Sequence, residues 1–457
     1  MIKNLVGFRK ELEKVNEWWL TSRVKEAERF PFRREAFNEI RKEIETRRCL
    51  VITGPRRVGK SVLLKQTIQF LIKEGTNPRN ILYYSLDDPT LYTFSDNLIK
   101  DLIDYFLENI AKKGRKYIFL DEIHVFEGWY KWIKAYYDKY ENLKFFLSGS
   151  SSLALQKEAN KYLRGRIITL EIFPLSFLEF LRLSGLKIKE FKLEDIFKLD
   201  ELEIKKLWYE VKEYFQEFLV VGGFPEWFEI KGTKDEVERW FRRLIEDVPK
   251  KAIYEDVVKL FGIKNPRVLE LILTFIAANQ SKILAYETIN DVAKLDRSTL
   301  LNYLEFLKSS YLLVEILKFA RLKEQLKAKK KFLLLDQGIR NAILKEYEIR
   351  EENLGFVIEN VVGNRLYLIS KEKNRNLFYW KINDEVDFVL RGEKILPVEV
   401  KYRDEIKPKD IKGLLNFMEK FKVKEGFVIT KSLLKREKMR GKFLYFIPCW
   451  LFLLLAF

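Results

Sequence analysis

A chain of 457 residues, 47% of them hydrophobic and 36 of them Phe, can bury a large core without disulfides and has room for about two to four domains. Its two cysteines, Cys49 and Cys449, lie far apart and its one histidine is His124, which excludes zinc-ligand spacing and multi-histidine chemistry and fits a reducing compartment. The formal charge of +18 is spread along the chain and favours an acidic partner, nucleic acid before anionic membrane, although abundant Lys and Glu with few Gln also suit a thermophile's ion-paired surface.

Residues 1–30 read as an N-terminal helical segment without the apolar core of a signal peptide, so a cytoplasmic location is expected. The apolar run from Cys49 to Thr53 then leads into Gly54-Pro-Arg-Arg-Val-Gly-Lys-Ser61, the pattern G-x-x-x-x-G-K-[ST] between a strand and a helix. Gly54 and Gly59 allow backbone N–H groups to turn inward around an anion, and the helix from Val62 to about Lys73 points its positive end the same way. The segment Gly54, Pro55, Arg56, Arg57, Val58, Gly59, Lys60, Ser61 and Val62 is therefore expected to cradle ATP. Lys60 would neutralise β/γ-phosphate charge and the Ser61 hydroxyl would hold Mg²⁺.

A second strand is expected in Asn80–Asp87 and a helix around Leu98–Ile110. A buried strand then ends in Asp121-Glu122: Asp121 would hold Mg²⁺ and Glu122 would polarise the attacking water. The strand from Leu143 ends in Ser148-Gly-Ser150, whose hydroxyls either sense the γ-phosphate or cap the next turn. In Leu163-Arg164-Gly-Arg166, Arg166 is the better candidate for an arginine that reaches a neighbouring subunit's γ-phosphate, the alternative being a solvated loop. Strands alternating with helices predict a doubly wound parallel α/β sheet.

The order GPRRVGKS, YIFLDEIH followed by Gly128-Trp129, LSGSSS, LRGR and Phe173-Pro-Leu-Ser-Phe-Leu-Glu-Phe resembles a group of AAA+/STAND-type P-loop ATPases expanded in archaea and also found in bacteria. The resemblance implies a nucleotide-driven machine or switch, usually followed by a winged-helix segment and a C-terminal domain with restriction-endonuclease-like signatures. The expected division is 31–175 for the ATPase core, 176–262 for a helical lid, 263–335 for the winged helix and 336–457 for the nuclease-like domain.

The stretch Lys187–Trp208 is charged and helical in pattern, a glycine-proline corner follows at Gly222–Glu226, and a boundary turn is expected at Gly262–Pro266. Helices are then expected at Arg267–Asn279, Tyr286–Leu295 and Asp296–Ser309, with Asp296 or Ser298 as cap of the last, before strands Leu312–Leu317 and Lys331–Leu335. Three helices and a β-wing make a winged helix-turn-helix. Arg297, Ser298, Asn302 and Lys308 would face DNA bases, while Lys318, Arg321, Lys323, Lys327, Lys329, Lys330 and Lys331 would reach phosphate from the wing. The alternative is a solvated loop on a protein-packing module.

Glu359 lies on a predicted helix, and Asp387 and Glu399 lie on a strand pair turning at Gly392. Alternation puts Lys401 on the face of Glu399. Asp387 and Glu399, joined by Glu359, would hold Mg²⁺ or Mn²⁺ while Lys401 positions water, as metal-assisted phosphodiester hydrolysis requires; the alternative is a structural salt bridge of Lys401. Glu-x-Lys recurs elsewhere in the chain, and Val386 stands where the nuclease pattern often has proline. The apolar run Phe443–Phe457 is too short to span a membrane and is expected to be a buried strand and short helix. The favoured function is an ATPase, possibly a homo-oligomer, acting on DNA. The alternative is a nucleotide-operated signalling or defence switch whose C-terminal domain binds a partner and cuts nothing.

Overall fold

Five runs rich in Val, Ile, Leu, Phe and Tyr become the strands of one sheet: β1 (Cys49–Thr53), β2 (Ile81–Ser85), β3 (Lys116–Asp121), β4 (Leu143–Gly149) and β5 (Ile167–Glu171). All neighbours are parallel, in the order β2-β3-β4-β1-β5. Parallel pairing needs long crossovers, and the helices Lys60–Lys73, Leu98–Tyr105 and Trp129–Lys139 lie in three of them. The computed structural model describes residues 2, 4–95, 97–150, 161–233, 235–257, 263 and 265–457, which divide into two compact units, Met1–Phe173 and Pro174–Phe457.

In the first unit β2 is an edge strand, and the N-terminal helices cover its exposed backbone. Asn16 accepts from Tyr83 N at 2.7 Å and donates to Tyr83 O at 3.0 Å, and the indoles of Trp18 and Trp19 donate to Ile81 O at 3.1 and 2.7 Å. An unpaired strand edge is thereby closed by the chain's own first twenty residues. Strand β5, absent from the sequence reading, forms because Ile167–Glu171 finds a partner in β1; nothing local distinguishes it.

In the second unit, Lys187–Trp208 is not one helix. Phe191 pairs with Leu455 in an extended bridge, and helix proper starts at Glu201 behind the cap Asp200. That helix ends at Val221, where Gly222 takes φ +82° and a Cβ would strike the Asp336 carboxylate at 2.1 Å. Asp336 accepts from Gly223 N and Ile339 N at 2.8 and 3.2 Å, so the glycine-proline corner is set by a carboxylate more than a hundred residues away. The helix Gln337–Leu344, grouped above with the C-terminal domain, packs on Glu201–Val221 and Glu236–Ile245.

Strand β6 (Ile283–Leu284) separates the helix Pro266–Ala278 from Tyr286–Ala293, and β7 (Leu313–Lys318) and β8 (Lys330–Leu334) follow the third helix, Arg297–Ser309. Gly262 and Lys264 of the expected boundary turn lie outside the described residues. Asp296 is the cap, accepting from Thr299 N at 3.0 Å, and Ser298 donates to it without capping. Strand β7 pairs antiparallel with β8 and parallel with β9 (Asn376–Lys381), which joins this segment to the C-terminal strands β10 (Glu385–Arg391), β11 (Ile395–Val400), β12 (Glu425–Thr430), β13 (Lys435–Met439) and β14 (Lys442–Pro448). The nine strands run β13-β14-β12-β11-β10-β9-β7-β8-β6. Trp380, Val386, Phe417, Met418, Val428 and Phe446 form the core between the C-terminal sheet and the helix Lys412–Lys420. The apolar tail is a buried strand and the short helix Cys449–Phe452, and no described helix is long and apolar enough to cross a membrane. Cys49 and Cys449 are both buried and free.

Candidate functional site

The loop between β1 and the helix Lys60–Lys73 uses its two glycines differently. At Gly54 any side chain would meet Ile172 O at 2.1 Å, so close packing against the end of β5 demands glycine. At Gly59 space is open, but φ of +92° puts the residue in the left-handed region from which the helix starts. Arg57 also has positive φ, +67°. Val58 buries its side chain fully and its carbonyl accepts from Arg34 Nη1 at 3.1 Å, a guanidinium that also donates to Phe173 O at 2.6 Å. Lys60 is 5% exposed, and its ammonium donates to Gly54 O and Pro55 O at 3.0 and 2.9 Å. A positive charge thus sits at the mouth of a helix N-terminus inside a turn shaped for an oxyanion.

Strand β3 delivers Asp121 and Glu122 to the same carboxyl edge of the sheet. Asp121 Oδ2 accepts from the Tyr83 hydroxyl at 2.9 Å, and its Oδ1 accepts from Ser148 Oγ and from Glu122 N at 3.1 Å. Glu122 has φ +48° and ψ +41°, an uncommon conformation for a residue with a side chain and one that breaks the strand at this point. Its Oε2 accepts from Ser150 N at 3.2 Å and lies 3.3 Å from His124 Nδ1, while His124 Nε2 lies 3.4 Å from Ser150 Oγ. Burial pushes the Glu122 carboxyl up to about 7, with nearby Asp121 adding to the rise and Lys60 opposing it. The group is tuned to change charge near neutral pH.

Both serines of the β4 tip therefore meet a carboxylate, Ser148 at Asp121 and Ser150 at Glu122. Arg166 lies elsewhere. Its carbonyl accepts from Cys49 N at 2.8 Å, at the amino edge of the sheet, opposite Gly54–Ser61. Its guanidinium holds Asp138, with Nε–Oδ1 at 2.9 Å.

The second carboxylate group is in the C-terminal sheet, and it is assembled differently from the expectation. Glu359, Asp387 and Glu399 do converge, but the fully buried ammonium of Lys331 stands among them, 2.7 Å from Glu359 Oε1 and 3.5 Å from both Asp387 Oδ1 and Glu385 Oε1. Asp387 Oδ2 accepts from Val400 N at 2.8 Å. Lys401, just past the end of β11, pairs with Glu399, while Glu399 Oε2 is buried without a hydrogen-bond partner among the described residues. Burial works against the Lys331 charge, but the carboxylates of Glu359, Asp387 and Glu385 outweigh it and raise its pKa. Burial likewise pushes Glu399 well up, with Asp387 adding to it. The predicted three-carboxylate metal set does not fit: Glu359 is spent on an ammonium, and among the described residues no group of three or more His, Cys, Asp or Glu is arranged to hold a metal ion.

Over 358 residues the sequence is 30% identical to the uncharacterized protein MJ1544 of Methanocaldococcus jannaschii, an alignment spanning 77% of this chain and 74% of that one. The two proteins belong to one family. An uncharacterized protein of Haemophilus influenzae is 26% identical over 88% of this chain and 93% of its own. Within this family member, residues 46–181 match the AAA domain, 212–348 a domain of unknown function (DUF8612) and 354–452 another (DUF4143). The chain thus carries a P-loop AAA domain, followed by a sheet-rich C-terminal region. Among solved structures it aligns with AMPPCP-bound DnaA from Aquifex aeolicus (16% identity, 60% of this chain and 86% of that one, TM-score 0.26) and with the ADP form of the Aeropyrum pernix ORC2 protein (13%, 72% and 91%, TM-score 0.30). No function is transferred from these two alignments.

On the three-helix segment of this family member, Arg297, Ser298 and Asn302 are exposed as expected, and so are Arg321, Lys323 and Lys327. Other expected DNA contacts are spoken for. Lys308 pairs with Glu305 and Glu315 at 2.7 and 2.9 Å, and Lys318 with Glu324 at 2.7 Å. Lys330 is buried and donates to Gln325 O and Leu326 O. Lys331 points into the carboxylate group described above. Tyr83 and the nearness of His124 to Glu122 were missed by the sequence reading. Tyr83 was findable from its place on the strand beside β3; His124 only from its position two residues after Glu122.

Proposed function

We propose that this chain binds and hydrolyses ATP with Mg²⁺ at the Gly54–Ser61 loop and uses nucleotide occupancy to control engagement of DNA by the segment 263–335. The observation that carries the hydrolytic reading is the Glu122 carboxylate, which accepts from Ser150 N and lies 3.3 Å from His124 Nδ1, at the same sheet edge as Lys60. The donor set fits the group: the loop N–H groups and Lys60 would hold the phosphates, and Ser61 and Asp121 would hold Mg²⁺, which supplies charge neutralisation when bound. Glu122, ionised, would accept a proton from a water while its second oxygen stays on Ser150 N. Ser148 and Tyr83 fix Asp121 with neutral donors, so its negative charge is retained for a cation. Arg166 would act only on a neighbouring subunit's nucleotide, after leaving Asp138.

DNA is favoured by the +18 charge and by the exposed bases Arg297, Arg321, Lys323 and Lys327 on a helix and wing of winged-helix order. A second reading, a nucleotide-operated switch that docks a protein, is favoured by the exposed apolar residues Leu301, on the helix Arg297–Ser309, and Leu322 and Leu326, on the short helix Leu322–Lys327 between β7 and β8. ATP turnover with and without duplex DNA over a salt series separates them. Stimulation that falls steeply with salt supports DNA; turnover indifferent to DNA, with no gel shift at low salt, supports the switch.

A further inference from the structure

The four carboxylates Glu359, Glu385, Asp387 and Glu399 come from a helix and two strands of the C-terminal sheet, whereas Lys331 comes from β8, the hairpin strand of the preceding segment. Its ammonium is 0% exposed and reaches three of the four carboxylates and the Asp387 carbonyl, at 3.3 Å. A divalent ion between carboxylates does two things: it cancels charge that a buried site cannot otherwise tolerate, and it ties together the elements that supply the ligands. Lys331 does both. It delivers one positive charge into a largely buried carboxylate group, and it fastens the hairpin to the helix Glu351–Glu372 and strand β10. Lys401 with Glu399 and Lys381 with Glu385 complete a group of four acids and three bases.

We propose that Lys331 is a built-in cation occupying the position a metal ion would take, so that the C-terminal domain of this chain is assembled and works without a divalent ion and does not cut phosphodiesters. The group is then a structural latch between the hairpin and the C-terminal sheet. Buried carboxylates left without their ammonium would repel one another, and a divalent ion is the replacement of right size and sign.

The test is Mn²⁺ binding to the full-length protein without nucleotide, followed by calorimetry and by the electron paramagnetic resonance of free Mn²⁺. Wild type and Asp387→Asn are expected to bind the same amount. Lys331→Ala is expected to melt about 10 °C lower, to gain one Mn²⁺ site with recovery of the melting temperature, and to lose that site again in Lys331→Ala/Asp387→Asn. A Mn²⁺ site in wild type that disappears in Asp387→Asn overturns the proposal, and this arm decides the matter even if Lys331→Ala does not fold. A folded Lys331→Ala protein that takes up no Mn²⁺ overturns it as well.

Discussion

The two carboxylate groups of this protein, Asp121–Glu122 in the first unit and Glu359–Glu385–Asp387–Glu399 in the second, use similar residues to opposite ends. In the first, Lys60 donates to loop carbonyls and acts on Glu122 through its charge, and the acids accept from a tyrosine hydroxyl, a serine hydroxyl and backbone N–H groups. Neutral donors orient a carboxylate and leave its charge available. In the second, an ammonium is bonded into the acids themselves. What decides whether a carboxylate cluster awaits a cation is therefore whether its positioning partners are neutral or charged.

The sharpest way to break that comparison is in the first group. Lys60→Ala should lower ATP turnover by on the order of 10³-fold, read by phosphate release, since charge at the transferring phosphoryl group is lost. Glu122→Gln should keep ATP binding, read by a fluorescent analogue, and lose on the order of 10²–10³-fold in turnover. If Glu122→Gln hydrolyses like wild type, Glu122 is not the group that activates water. Because burial raises Glu122 to about 7, its base form is lost as pH falls through that value; kcat/KM for ATP should drop about tenfold per unit below it, and Glu122→Gln should flatten that limb.

In the second group, Asp387→Ala is expected to change no DNA cleavage, because wild type with Mg²⁺ or Mn²⁺ should show none, and instead to lower the unfolding free energy by about 2 kcal/mol, since Lys331 loses one of its three acids and the Val400 N–H loses its acceptor. The smallest effect should be Tyr83→Phe. It removes one hydrogen bond to Asp121, worth about 1 kcal/mol, and should slow turnover a few-fold.

The contrast also explains what could be read from the chain in advance. Gly54–Ser61 and Asp121–Glu122 are legible because each is a contiguous motif on a strand end, where local sequence fixes the geometry. The parallel sheet, the three helices with their hairpin, and the buried Phe443–Phe457 tail follow from periodicity and turn residues. Lys331 was not legible. In sequence it closes a lysine run at 327–331 that looks like a solvated wing, and only the pairing of β8 between β6 and β7, with the helix Glu351–Glu372 packed on it, turns the side chain inward. Strand β5 and the Asp336 lock on Gly223 escaped for the same reason, since both are made by partners distant in sequence.

The central claim is that the nucleotide site carries the chemistry of this protein and the C-terminal group does not. One measurement confronts both halves. The full-length protein is incubated with ATP, Mg²⁺ or Mn²⁺ and labelled duplex or single-stranded DNA, and phosphate release and DNA fragments are scored in the same tubes for wild type, Lys60→Ala and Asp387→Ala. The account predicts ATP hydrolysis that vanishes in Lys60→Ala and persists in Asp387→Ala, with intact DNA throughout. DNA cleavage by wild type that disappears in Asp387→Ala would contradict it.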